Sequence, residues 1–301
     1  MPELPEVQTT VDGLNRFVKN LKIVEVFNFY QSVFHVGKDN VKDESFFKKF
    51  KKEVAGKKIL FAERRGKNIL VHLSGKLVIL IHMKMTGHLL YGDYILEKGS
   101  FHPKDKNSPL AESRNGYIRF AFLLSNKKHL VLSDLRRFAK ITLLKEEEIA
   151  DSPHLKDLGP EPLENSFSPS LFEKQILKRK NTPIKTVLMD PKVIAGVGNI
   201  YSDEALLRAE IHPERKPVTL SKKEISALHK SVIAVLQKGI GLGGDSMSDY
   251  RNIEGHPGEF SGSHEAYRRT GLPCKKKGCK GKIVRKKVLG RSAHFCDTHQ
   301  K

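Results

Sequence analysis

What this 301-residue chain lacks narrows it first. It has three cysteines, all beyond residue 270. That is too few for a disulfide framework, and it fits a metal site in a reducing compartment. No apolar run approaches the roughly 18 residues that a membrane-crossing helix needs. The opening residues have no basic stretch leading into an apolar core of about 7–15 residues, so no secretory signal is expected and the cytoplasm is the expected location. Acidic side chains are scarce against basic ones, 34 Asp and Glu to 54 Lys and Arg, for a net charge of +20 and a pI near 9.7. Such an excess points to a polyanionic partner, with nucleic acid the default and a generally basic surface the plainer alternative. The length suffices for two domains with cores of their own.

What is present begins with MPELPE. Pro2 is small enough that loss of Met1 is expected, which leaves a secondary amine at the front of the chain. An α-amino group has a pKa near ~8, so much of it is unprotonated at neutral pH. Such an amine can attack a sugar carbon C1′ and form an iminium ion. Glu3 and Glu6 lie beside it. Pro5 suits a first helical turn, and Val7, Val11 and Leu14 follow at helical spacing, so a helix is predicted from Pro5 to Val18. The positive end of its dipole disfavours a protonated amine there. The plainer reading is a capped helix with an acidic first turn.

The rest of the N-terminal half reads as β structure. Strands are predicted at 21–29, 59–61, 68–73, 76–82, 117–124, 129–132 and 139–144, with Ser74-Gly75 and Ser125-Asn126 as hairpin turns. Lysine-rich 36–58 reads as a solvated loop and helix, and 97–115 as an exposed polar loop. Short strands with turn signals suggest a β-sandwich. Three spots stand out. Lys67 opens a strand beside Arg64 and Arg65, where an edge charge is the ordinary explanation. Met85 follows a strand in HMKMTG with His82 nearby, where a core-filling methionine is the alternative. Arg136 and Phe138 in SDLRRFAK share a face if the chain is extended, where packing on a sheet edge is the alternative.

Residues 146–165, with two prolines and a glycine in GPEPLE and its flanks, read as a linker. Beyond them a helix starts at Ser168-Pro169, a short one covers 183–190, and a Gly-rich turn at 196–199 leads into another. Ser221 and Glu224 form a capping box for a helix reaching about Lys238. A turn such as Gly196-Val197-Gly198-Asn199 can cradle a phosphate, although most such turns are only structural. The following Gly/Ser-rich stretch, 241–262, is too long for an ordinary connection. In the tail, Cys274 and Cys279 are followed sixteen residues on by Cys296 and His299. Two ligand pairs so spaced indicate a zinc site around a β-hairpin, with His294 as competitor for the fourth position.

These motifs, in this order, resemble those of formamidopyrimidine-DNA glycosylases, bacterial base-excision repair enzymes. The resemblance runs from residue 2 to residue 300. It implies an α+β chain: an N-terminal β-sandwich domain with a leading helix (1–145), a linker (146–165), a helix–two-turns–helix domain (166–262) whose loop 241–262 meets the damaged base, and a zinc finger (263–301). It implies that Pro2 is the nucleophile and Glu3 the general acid/base, with Lys67 reaching a phosphate beside the lesion. Glu6 and Glu204 match further family carboxylates of the site. His82, Met85, Arg136 and Phe138 match residues around the extruded base, where Met85 fills the gap, Arg136 bonds the widowed cytosine and Phe138 wedges the stack. Lys185, Asn199 and Arg291 match phosphate contacts. The family usually has four cysteines; here the first knuckle is longer and His299 replaces the last, and one structural Zn2+ is still expected. The implied activity is removal of oxidised purines from duplex DNA and cleavage of the abasic strand, by a monomer associated with the nucleoid. An endonuclease VIII-like preference for oxidised pyrimidines is the near rival, and a non-catalytic DNA binder the rival of another class. Leu4 and the Arg136/Phe138 pair speak for the purine branch, and the intact Pro2-Glu3 start speaks for an enzyme.

Overall fold

The computed structural model describes residues 1–30, 33–246 and 249–301. Two compact units emerge, one of residues 1–156 with 243–259, the other of residues 157–242 with 260–301.

The first unit starts with α1 (Leu4–Phe17), one residue off the predicted span. Pro5 sits in its first turn, and Val7, Val11 and Leu14 are buried as their spacing requires. Then come β1 (Ile23–Asn28), α2 (Glu44–Val54), β2 (Ile59–Arg65), β3 (Asn68–Leu73), β4 (Leu77–His82), β5 (His88–Gly92), β6 (Tyr94–Glu97), β7 (Ser100–Pro103), β8 (Ile118–Leu124), β9 (His129–Ser133) and β10 (Lys140–Lys145). Eight strands form two antiparallel four-stranded sheets, ordered β1-β8-β9-β5 and β10-β4-β3-β2. Their apolar faces, with α1 and α2, enclose one core that includes Val7, Leu14, Phe50, Ile81 and Phe120. A fully buried side chain of this kind contributes roughly 1.5–3 kcal/mol, so the sandwich is the stable frame on which the turns are hung.

Apart from Phe101 and Asn115, the stretch 97–115 is largely exposed as expected, but it is not all loop. Its start closes the β6–β7 hairpin, and two 3-10 turns, Pro109–Ala111 and Ser113–Asn115, follow. Asn115 is buried. Within it, Asn115 and Glu112 make hydrogen bonds inside the unit, described below.

The second unit holds α3 (Pro169–Leu177), α4 (Ile184–Leu188), α5 (Asn199–Arg208), α6 (Lys222–Gly241), β11 (Ile283–Val288) and β12 (Arg291–Cys296). Ser168 caps α3 by accepting the Leu171 N–H, and Ser221 with Glu224 forms the predicted capping box of α6. The two strands pair antiparallel from Ile283–Cys296 to Val288–Arg291.

The boundary at Lys156/Asp157 falls inside the stretch expected to be a linker. The segment 243–259 does not follow expectation: it was placed with the helices and packs instead with the sandwich. The reason is contact at long sequence separation, which no local pattern announces. Met247 and Ser248 of the expected loop 241–262 lie outside the described residues.

Candidate active site

Pro2 and Glu3 are buried at the start of α1, where Glu3 is the N-cap. The Glu3 N–H donates to Glu6 Oε2 at 2.6 Å. The other oxygen, Glu6 Oε1, accepts the Asp245 N–H at 2.7 Å. Glu6 therefore spends one oxygen on the front of the chain and one on the segment 243–259. Two carboxylates at a helix N-terminus are favoured by the dipole and by its unpaired N–H groups. Gly244 is required for this approach. It has φ +86°, and a Cβ there would stand 2.9 Å from Glu6 Oε1. The Glu6 carbonyl accepts hydroxyl bonds from Thr10 and from Tyr250, each at 2.9 Å. Burial raises the Tyr250 phenol well above its usual range, so it remains a donor.

Lys67 lies in the tight turn between β2 and β3, with Gly66 at φ +58° beside it, rather than opening a strand. Its charge reaches His82, at the end of β4. His82 Nδ1 accepts the Lys84 N–H at 3.0 Å. Burial first, then the charges of Lys84, Lys67, Lys140 and His154, push its pKa down to about 3. It is a neutral imidazole at any physiological pH.

Met85, 39% exposed, stands on the turn between β4 and β5, and Phe138, 48% exposed, on the turn between β9 and β10. Arg136 and Phe138 are not side by side on an extended strand. Arg137 between them has φ +56°, and the Arg136 guanidinium lies 4.7 Å from the Phe138 ring centre. The turn folds the cation onto the ring because a buried carboxylate behind it dictates its path. Asp134 Oδ2 accepts the Ala139 N–H at 2.8 Å and the Tyr30 hydroxyl at 2.9 Å. Asp134 Oδ1 accepts the Thr86 hydroxyl at 2.6 Å, and Thr86 Oγ1 accepts the Arg136 N–H at 3.0 Å. One carboxylate thus ties the Met85 turn to the Arg136–Phe138 turn. Lys42 adds a bond from its ammonium to the Arg137 carbonyl at 2.6 Å. Sequence reasoning missed this hub; an aspartate directly before an exposed Leu-Arg-Arg-Phe turn was the available signal.

In the second unit, Lys185 departs from expectation. Its ammonium is buried on Asp203 Oδ1, within 3.4 Å of the Asn199 carbonyl, instead of projecting from the surface. Asp203 Oδ2 accepts both the backbone N–H of His294 at 3.0 Å and a bond with its ring Nδ1 at 2.9 Å. Helix α4, helix α5 and strand β12 meet at this ion pair. Asn199 opens α5 after Gly196, which has φ +90°, and its side-chain oxygen has no partner among the described residues. Glu204 is buried and accepts N–H bonds from Glu265, Ala266 and Tyr267 at 2.8–3.2 Å. Burial raises its pKa against the pull of those donors. Arg291 is exposed at the start of β12.

Cys274, Cys279, Cys296 and His299 bring one ligand atom each to within 4.8 Å of one another. The Cys279–Cys296 sulfurs are 3.6 Å apart, and His299 Nδ1 is 3.4 Å from Cys274 and 3.6 Å from Cys279. Zinc–sulfur bonds of about 2.3 Å in a tetrahedron put sulfurs about 3.8 Å apart, so the spacing fits a closed four-ligand site. Backbone N–H groups of Lys276 and Gly281 point at the first two sulfurs, as thiolates require. His294, the competitor, is engaged by Asp203 and takes no part.

A sandwich that presents a proline-glutamate start on a leading helix, joined to a helical unit with a Cys3His hairpin, defines a DNA glycosylase of the helix–two-turns–helix class. Family models agree. Residues 1–141 match the formamidopyrimidine-DNA glycosylase N-terminal domain, and residues 158–251 its H2TH domain. The formamidopyrimidine-DNA glycosylase of Desulforamulus reducens is 38% identical over 100% of this chain and 99% of that protein. That of Pelotomaculum thermopropionicum is 36% identical over the same shares. Among solved structures, a mutant Lactococcus lactis enzyme complexed with DNA containing Fapy-dG superposes with a TM-score of 0.82 at 30% identity, covering 100% of both chains. The Thermus thermophilus protein does so with a TM-score of 0.78 at 33% identity, covering 99% of this chain and 98% of that one. The chain belongs to the formamidopyrimidine-DNA glycosylase family.

Proposed function

We propose that this protein removes oxidised purines from duplex DNA and then cleaves the abasic strand, with Pro2 as nucleophile. While Met1 is attached, the Pro2 nitrogen is an amide and inert; its removal exposes the amine. The nitrogen attacks C1′, the N-glycosidic bond breaks and the base leaves carrying the bonding electrons, which a proton relayed by Glu3 neutralises. The nitrogen gives up its proton, O4′ takes one up and the C1′–O4′ bond breaks, which leaves an open-chain iminium that acidifies the C2′ hydrogens. Loss of one proton expels the 3′ phosphate, and a second elimination expels the 5′ phosphate. Glu6 holds the Glu3 backbone in place. Lys67 takes the phosphate beside the lesion, with Asn199 and Arg291 as further phosphate contacts. Met85, Arg136 and Phe138 enter the duplex in place of the extruded nucleotide. Lys185 and Glu204 act from inside the second unit, by fixing the start of α5 and the 265–267 backbone.

The Cys3His group takes one zinc ion. With all four positions filled by protein, the metal holds the hairpin and has no open site for water. Acting on chromosomal DNA, the protein works in the cytoplasm with the nucleoid, and it does so as a monomer. No helix among the described residues is long and apolar enough to cross a membrane.

The observation that carries this reading is the buried Pro2-Glu3 start bonded to Glu6, in a chain that matches the family from end to end. Borohydride trapping on a duplex containing 8-oxoguanine tests it. A covalent adduct is expected with the mature chain and none with a variant that retains Met1. Equal trapping by both would remove Pro2 from the mechanism, and trapping only on oxidised pyrimidines would move the protein to the other branch.

A further inference from the structure

The segment after α6 carries an ion pair for which the chemistry above has no use. Arg251 is 4% exposed, rare burial for an arginine. Its guanidinium meets Glu112 as a fork, Nε to Oε2 at 2.5 Å and Nη2 to Oε1 at 2.6 Å. Its third arm, Nη1, donates to the Tyr250 carbonyl at 2.7 Å. The arginine holds the Glu112 carboxyl below its usual range. A two-pronged charged pair fixes direction as well as distance, which a lysine could not do.

Its neighbours point the same way. Next to Arg251, the Tyr250 hydroxyl donates to the Glu6 carbonyl. The Tyr91 N–H donates to the Ile253 carbonyl at 2.8 Å, and Ile253 fills the space above Gly13. Asn115 donates to the Pro109 and Gly255 carbonyls at 2.9 and 3.4 Å, while its Oδ1 meets His88 Nε2 at 2.9 Å. The polar stretch 109–116 is thus the seat of the segment 250–256. At the other end of that segment, Asp245 bonds Glu6 directly. Glu6 is approached from both sides, and the Arg251–Glu112 fork stands behind one of them.

We propose that Arg251 and Glu112 are positioning residues whose fork sets the placement of the segment 249–256 against Glu6, and with it the rate of base release from a damaged nucleotide but not the cleavage of a pre-formed abasic site. A damaged base must be held for its bond to C1′ to break. At a pre-formed abasic site there is no base to hold, and the amine alone suffices. This rests on the Pro2 reading above.

The test compares two substrates under single turnover, a duplex with 8-oxoguanine and the same duplex with an abasic site. Removing Glu112 alone leaves the buried Arg251 charge unpaired, so the informative variant is the double Arg251→Met/Glu112→Leu, beside Glu112→Asp, which keeps the carboxylate. The double variant is expected to release base about 10- to 100-fold more slowly, with abasic cleavage within about threefold of the parent. Glu112→Asp is expected to recover most of the loss in the single-turnover rate, with the half-saturating enzyme concentration little changed. Equal losses on both substrates, or none on either, would overturn the proposal. If the parent gives no borohydride adduct on abasic DNA, the Pro2 reading fails, while the ratio of base-release rates still judges the fork.

Discussion

The two units bury charge for different ends. In the first, the buried carboxylates Glu6 and Asp134 lie directly behind residues that face outward or are proposed to react: Glu3 on one side, and Met85, Arg136 and Phe138 on the other. In the second, the charged residues are turned inward on one another. Lys185 pairs with Asp203, Asp203 with His294, and Glu204 with three backbone N–H groups. The first unit uses buried polar groups to aim side chains; the second uses them to hold elements together. Motif resemblance alone treats Lys185 and Lys67 alike. Burial separates them.

The largest effect that could break this contrast is removal of the metal. In the second unit Cys274, Cys279, Cys296 and His299 are the group that could hold the proposed zinc, and among the described residues no other such group exists. Structural zinc binding in zinc-finger peptides is worth about 10–16 kcal/mol near neutral pH. A chelator should therefore melt the β11–β12 hairpin and abolish duplex binding, while the sandwich keeps its own calorimetric transition. Retention of tight DNA binding by metal-free protein would show that the hairpin stands without the ion.

Next comes Lys185→Met. It strands the Asp203 carboxylate in the interior, and breaking a buried pair from one side costs about 3–5 kcal/mol. Thermal melting should drop accordingly, and Lys185→Met/Asp203→Leu should recover much of it. A full loss of activity with unchanged melting would instead mean that Lys185 leaves its partner to contact DNA.

How much of this could be read beforehand follows from the range of the forces. Helix α1, the Ser74-Gly75 and Ser125-Asn126 hairpins and the Ser221/Glu224 box depend on neighbours a few residues away, so spacing reveals them. The ligand set Cys274, Cys279, Cys296 and His299 was legible because two short knuckles carry it. Strands β5, β6 and β7 were missed, since a short half-polar run has no periodicity to distinguish it from a loop. Bonds from Asp245 to Glu6, or from Arg251 to Glu112, span more than a hundred residues and leave no local mark. The burial of Lys185 was hidden for another reason. Lysine is almost never fully buried unless paired, and its partner came from a different helix.

A smaller effect lies in the pH dependence of the first unit. His82 has a folded pKa of about 3 against 6.5 when unperturbed. The unfolded chain therefore binds the extra proton between those values. Stability from the neutral ring is complete above about pH 6.5 and falls as pH drops through that window, by up to about 2 kcal/mol at pH 5. Urea midpoints at pH 7 and pH 5 should differ less in His82→Gln than in the parent. An identical acid slope in both would place the charge change elsewhere, for example on His154 or His35.

The smallest change tests the aiming role most sharply. Thr86 donates to Asp134 and accepts from the Arg136 backbone, so its side chain bridges the two turns. Thr86→Val keeps the shape and removes both bonds, at a cost of about 1–3 kcal/mol. If buried polar groups in the first unit serve chiefly to orient, the rate of 8-oxoguanine removal should fall by more than the roughly tenfold that 1.4 kcal/mol represents. Cleavage of an abasic duplex should change less, because Pro2, the proposed nucleophile, lies just before α1 and shares none of these bonds. Lys185→Met should show the reverse proportion, a large loss of stability with base removal and abasic cleavage reduced together. Were Thr86→Val to lower melting without slowing base removal, the two units would use their buried charge in the same way after all.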